Sequence, residues 1–177
     1  LYWLKRYFEN CRRLGKAGTA FYETTSEIHE GNGIAYRNVR ELPGLPYVCL
    51  RIPTGGGKTL VACHAVAVAN KHLLQSENSL VVWLVPSDAI REQTLKALRN
   101  REHPYRQALE AEVGNVAILD VAEALYLTKS TLDTQTVIVI ATMQAFRREI
   151  KEGLLVYRSS GNLMSHFQGV PEETLRE

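Results

Sequence analysis

The sequence predicts a doubly wound α/β domain on a mostly parallel sheet. Four short apolar runs carry that expectation: Tyr47–Ile52, Leu80–Val85, Val116–Leu119 and Val137–Ala141. Three are rich in Val, Ile or aromatics and lack polar alternation, as strands buried on both faces of a parallel sheet do. Their starts lie about 20 to 36 residues apart, room for a crossover helix between each pair. The chain's 177 residues, 45% apolar and 23% charged, suffice for one sizeable core.

Residues 1–15 read as an amphipathic helix, with Leu1, Leu4, Phe8, Cys11 and Leu14 at three- and four-residue steps. Residues 16–45 carry Gly18, Gly31, Gly33, Pro43, Gly44 and Pro46 close by, a loop-rich stretch with one short helix and a turn into the first strand. The helix after that strand, Thr59–Leu74, is apolar nearly all round and is expected to be buried. The stretch Gly153–Glu177 has no strong period, and Val170–Leu175 looks like a helix start. We therefore expect an N-terminal segment over 1–45, an incomplete core over 46–150 and an extension over 151–177. Leu1 in place of Met, and a last helix that does not finish, suggest a piece of something longer.

A net charge of +2 excludes a polybasic arm and an acidic tail. The longest strictly apolar run, Leu80–Val85, is far short of the ~20 residues of a membrane span. No signal peptide is visible. Cys11, Cys49 and Cys63 form no C-x-x-C pair and suit a reducing, cytoplasmic setting. The five histidines make no metal-ligand spacing.

The strongest chemical signal is Pro53-Thr54-Gly55-Gly56-Gly57-Lys58-Thr59, after a predicted strand and opening a predicted helix. That is the setting of a phosphate-binding P-loop. Glycines let backbone N–H groups wrap a phosphate with no Cβ in the way, and the helix N-terminus adds positive potential. Lys58 is placed for the β/γ-phosphates of a nucleotide, and the Thr59 hydroxyl for Mg²⁺. Lys58 and Thr59 are thus the candidate catalytic pair, with Pro53 to Thr59 as the cofactor loop. One departure stands out: Ile52 occupies the place where G-x-x-x-x-G-K-[ST] has its first glycine.

The form x-x-T-G-x-G-K-T resembles superfamily-two helicases and translocases. Two further segments fit. Val85-Pro86-Ser87-Asp88-Ala89-Ile90-Arg91-Glu92-Gln93 resembles their motif Ia, with matches at Pro86, Ser87, Ile90 and Gln93. Val137 to Phe146 resembles the strand and motif Ib, where a Thr, here Thr142, contacts the nucleic-acid backbone. Ser87 and Thr142 are each expected to cap a following helix, whose N-terminus can hold a backbone phosphate. Arg91, Lys96, Arg99, Arg101 and Arg106 suggest a basic face, with Arg91 the nearest to motif Ia; a solvated helix face is the bland alternative. Arg147 and Arg148 extend the set.

Across residues 47–150 the wording looks most like the helicase subunit of type III restriction enzymes. That resemblance implies a RecA-like P-loop NTPase domain, the first motor domain of an ATP-dependent DNA translocase. It implies ATP and Mg²⁺ as cofactors, DNA as a partner held by its backbone, and a methyltransferase subunit alongside. The family's Asp-Glu pair has no counterpart: the chain contains no Asp-Glu dipeptide. Asp120 ends an apolar run but precedes the Thr142 segment, so it reads as a strand end or helix cap. The acidic motif is expected beyond Glu177. The family's adenine-reading Gln is also missing, since Gln75 is the first in the chain. Such a chain alone is expected to bind nucleotide weakly and hydrolyse it poorly. Two other readings stay open: a P-loop NTPase or phosphotransferase that does not act on nucleic acid, and a nucleotide-binding module without turnover.

Overall fold

The computed structural model of the chain describes residues 1–146. Arg147, Arg148, the 151–177 extension and its helix start lie outside the described residues. The chain forms two compact units, one over Leu1–Glu77 and one beginning at Asn78.

The first unit is helical. Helix α1 spans Tyr2–Leu14 and α2 spans Ala17–Ile28. Gly15 ends α1 in the left-handed conformation (φ 65°), its N–H on the Cys11 carbonyl, a turn that favours glycine. Of the period read in the sequence, Leu4, Phe8 and Cys11 are buried and form a core with Tyr7 and with Ala17 and Ala20 of α2; Leu14 packs partly buried against it and Leu1 is exposed. Polar rungs tie the same two helices. Arg6 donates to Glu27 twice, at 3.1 and 3.0 Å, Asn10 donates to Thr24 Oγ1 at 3.1 Å, and Arg13 pairs with Glu23. Asn10 and Thr24 are buried, and that bond spares both the cost of an unmet polar group.

Helix α3 spans Lys58–Ala69 and runs into a π-helical turn, Asn70–Leu74. Ala65, Val68, Ala69 and Leu73 pack on the α1–α2 core. His72 Nδ1 lies 3.1 Å from Glu9 Oε1 on α1. The expectation that α3 is buried all round is corrected. Only Cys63 and Val66 are fully buried on it, and Leu60 is exposed, because the helices of this unit cover one side of it.

The run Tyr47–Ile52 is also a correction. It forms no strand; Tyr47, Cys49, Leu50 and Arg51 are exposed, while Val48 packs on the α1–α2 core. An apolar run becomes a strand only where a neighbour completes its ladder, and no described residue does so here.

The second unit holds the sheet. Strands β1 (Leu80–Val85), β2 (Val116–Asp120) and β3 (Thr136–Thr142) are parallel in the order β1-β3-β2. Central β3 is buried along its whole length. Between β1 and β2 come α4 (Asp88–Arg99) and α5 (Pro104–Val113); between β2 and β3 come α6 (Val121–Ala124) and α7 (Lys129–Thr134). Val137 and Val139 of β3 pack with Leu127, Val121, Ala124 and Leu132 from the α6–α7 side. Strand alternation turns Ile138 and Ile140 to the opposite face, where α4 contacts all three strands. Helices therefore cover both faces, the predicted doubly wound α/β arrangement, here with a small sheet of three strands.

Edge strand β1 departs from the expectation. Leu80, Val82 and Leu84 are about half exposed, at 54%, 53% and 47%. Among the described residues β1 pairs only with β3, so its outer edge has no strand partner.

Candidate functional site

The glycine loop belongs to the first unit. Gly55 and Gly57 have φ of 80° and 73°, in the left-handed region that side chains avoid. Gly56 is required for a different reason. A Cβ on it would lie 2.7 Å from Cγ2 of Ile52 and 3.1 Å from the Pro53 carbonyl oxygen. Ile52, the residue that departs from the general pattern, thus lies against the loop and excludes any side chain at 56. The Gly56 N–H donates to the Pro53 carbonyl at 3.1 Å and closes the turn.

Gly57 is the N-cap of α3, and no side chain caps that helix. Pro53, Thr54 and the three glycines are exposed, as is Lys58; Thr59 is half-buried. The Lys58 ammonium donates to the carbonyls of Pro53 at 3.1 Å and Ile52 at 3.5 Å. Its charge is therefore folded over the loop, and among the described residues it pairs with no carboxylate. First-turn amides with no side-chain cap, a cation across the loop and no Cβ at three successive positions make a cradle that suits a polyphosphate. Cys63, one turn further along α3, is no nucleophile: burial pushes its thiol up to about 11. Among the described residues no group of three or more His, Cys, Asp or Glu is arranged to hold a metal ion.

Pro86, Ser87, Arg91 and Thr142 belong to the second unit. Val85 pairs with Thr142, so Ser87 and Thr142 sit at the carboxyl ends of adjacent parallel strands. Ser87 caps α4 as expected, its Oγ accepting from the Ile90 N–H at 3.4 Å. Thr142 differs: it is buried and leads into a 3₁₀ turn, Met143–Phe146, rather than an α-helix to cap. Its pairing with Val85 keeps it within the sheet.

Most guanidiniums of the basic run are paired within the chain. Arg91 donates to Asp88 Oδ1 at 3.0 Å. Arg99 donates to the Ile118 carbonyl at 3.3 Å and pairs with Glu123. Arg106 is buried and donates to Glu110, to the Leu98 carbonyl and to the Val116 carbonyl at 2.8 Å. These guanidiniums tie helices to strand carbonyls and to their own acids; Lys96, Arg99 and Arg101 are the exposed cations of the run. Asp120 ends β2 and caps α6, accepting from the Glu123 N–H at 2.9 Å while Glu123 accepts from the Asp120 N–H at 2.8 Å. That capping box is the role expected of it.

A family profile described as DEAD/DEAH box helicase matches residues 35–166. The chain belongs to that family. The match includes the glycine loop and both strand ends, and it makes the chain part of an ATP-dependent helicase motor domain of superfamily two. DEAD/DEAH helicases typically use ATP with Mg²⁺ and act on nucleic acid. No curated protein and no solved structure matches the helicase chain. Among its described residues no helix is long and apolar enough to cross a membrane. One residue near the loop escapes any motif: Tyr36, whose hydroxyl is bonded to the backbone on both sides of Pro46. An isolated tyrosine in a loop-rich stretch carries no signal in the sequence.

Proposed function

We propose that this helicase domain is the nucleotide-binding first motor domain of a DNA translocase resembling the type III restriction subunit. The observation that carries the reading is the glycine loop itself, with two left-handed glycines, a third sealed by Ile52, and Lys58 turned over them. Pro53 to Thr59 would hold the triphosphate of ATP, and the Thr59 hydroxyl would take one position on Mg²⁺. When bound, MgATP supplies a phosphoanhydride whose hydrolysis drives movement. The chain's own part is to exchange bonds. Lys58 leaves the Pro53 and Ile52 carbonyls for phosphate oxygens, and the α3 amides take the negative charge that no side chain caps.

For DNA, exposed Ser87 would meet the backbone without reading bases, at the sheet end where buried Thr142 lies beside it and would reach a phosphate only on being uncovered. Pro86 shapes the exit from β1. Arg91 joins them only by releasing Asp88. A modification subunit as partner, and a cytoplasmic setting, rest on the family resemblance alone.

The test is steady-state ATPase of the protein with and without duplex DNA, beside Lys58→Ala. The expected outcome is stimulation by DNA and a loss in the variant of order 10² to 10³ in kcat. Lys58-dependent hydrolysis indifferent to DNA would leave a P-loop NTPase acting elsewhere and overturn the translocase reading. Nucleotide binding without turnover in any condition would leave a binding module.

A further inference from the structure

The chain enters the phosphate loop through residues 45–52, which no described strand pairs. A segment of that kind needs another anchor, or its residues keep their backbone freedom. Beside Val48, packed on the α1–α2 core, one side chain supplies a polar anchor. The Tyr36 hydroxyl donates to the Leu45 carbonyl at 2.8 Å and accepts the Tyr47 N–H at 2.9 Å. Pro46 between them has no N–H to offer. A single hydroxyl thus meets one acceptor and one donor, as a neighbouring strand would.

The ring is fixed as firmly as the hydroxyl. Its Cδ1 lies 3.5 Å from where a Cβ on Gly18 of α2 would stand, an ordinary contact distance. Its centroid is 5.4 Å from Phe21 and 6.0 Å from Tyr47, and Phe21 meets buried Tyr7 edge-on at 5.9 Å. A line of four rings therefore runs from the α1–α2 core to the entry of the loop. Five residues past Tyr47 comes Ile52, whose carbonyl receives Lys58 and whose methyl lies against Gly56.

We propose that Tyr36 is a positioning residue for the phosphate loop, holding residues 45–47 so that Ile52 and Lys58 stand in register with the glycines. The proposal rests on the nucleotide-binding reading above. Tyr36 itself touches no phosphate; it acts through the backbone at 45 and 47.

Tyr36→Phe keeps the rings and removes both hydrogen bonds. Two measurements on the full chain test it: tryptic cleavage after exposed Arg51, and the Kd of a fluorescent ATP analogue with Mg²⁺. We expect cleavage after Arg51 to rise about 3- to 10-fold, the scale of one net hydrogen bond, with cleavage after Arg12 unchanged. We expect Kd to rise about 3- to 10-fold as well, with the urea midpoint lowered only as far as the two lost bonds require. A merely structural tyrosine would speed cleavage at both sites and leave Kd alone; that result overturns the proposal. So does a variant that matches wild type at Arg51 and in Kd. A wild-type protein that binds no analogue would remove the nucleotide reading instead, and the rate after Arg51 would then decide whether Tyr36 pins the segment.

Discussion

Helices α3 and α4 are both twelve residues long, and both begin where the sequence suggests a phosphate contact. Their first turns are built oppositely. At α3 a left-handed glycine stands at the N-cap, no side chain caps the amides, and Lys58 leans on neutral carbonyls. At α4 Ser87 already accepts from the Ile90 N–H, and Asp88 occupies the first turn with Arg91 folded onto it. Both starts carry the same helix dipole. What separates them is how much of the local hydrogen-bonding and charge is spent within the chain. A helix start is a strong anion site when its donors are unspent, and a weak one when its own side chains have taken them.

The largest expected effect breaks the α3 side. Gly56→Ala drives a Cβ to 2.7 Å from Ile52 and should weaken nucleotide binding about 10- to 100-fold, read by titration with the fluorescent analogue. Adding Ile52→Ala should restore much of the loss, because the clash is with that side chain's Cγ2. No recovery would mean that the loop fails for another reason. A smaller effect sharpens the α4 side. Asp88→Asn removes a carboxylate from the first turn and frees Arg91, so duplex DNA should bind about 3- to 10-fold tighter at low salt. The gain should fade as salt rises; an unchanged affinity would take the α4 start off the DNA path. The smallest effect concerns the cap alone. Ser87→Ala should cost about 1 kcal/mol of unfolding free energy in urea, with no matching change in nucleotide affinity.

Much of the fold was legible. The runs Leu80–Val85 and Val137–Ala141 mark strands because β-branched residues pack well on a pleated surface. The spacing left room for the helices on both faces. Tyr47–Ile52 was misread because an apolar run says nothing about whether a partner strand lies beside it. The pairing of the arginines between 91 and 106 was hidden for a related reason. Sequence shows their charge, but Arg106 is spent on the Leu98 and Val116 carbonyls, which only the packing of α5 brings near.

The glycine loop was legible as geometry, since three glycines before Lys-Thr leave few other conformational uses. The Ile52–Gly56 contact was not, because the pattern records Ile52 only as an exception. Thr142 was legible as a strand end. Its burial follows from pairing with Val85, a register that the sequence does not carry.

Strand β1 has a consequence for handling the protein. Leu-Val-Val-Trp-Leu-Val is a six-residue stretch with no charge and no proline, half exposed on one face and unpaired along one edge among the described residues. Segments of that composition stack on identical copies of themselves. If the second unit were produced from Asn78 onward without anything laid along that edge, β1 is where fibrils or precipitate would nucleate. A single lysine at Val82 would be the natural gatekeeper.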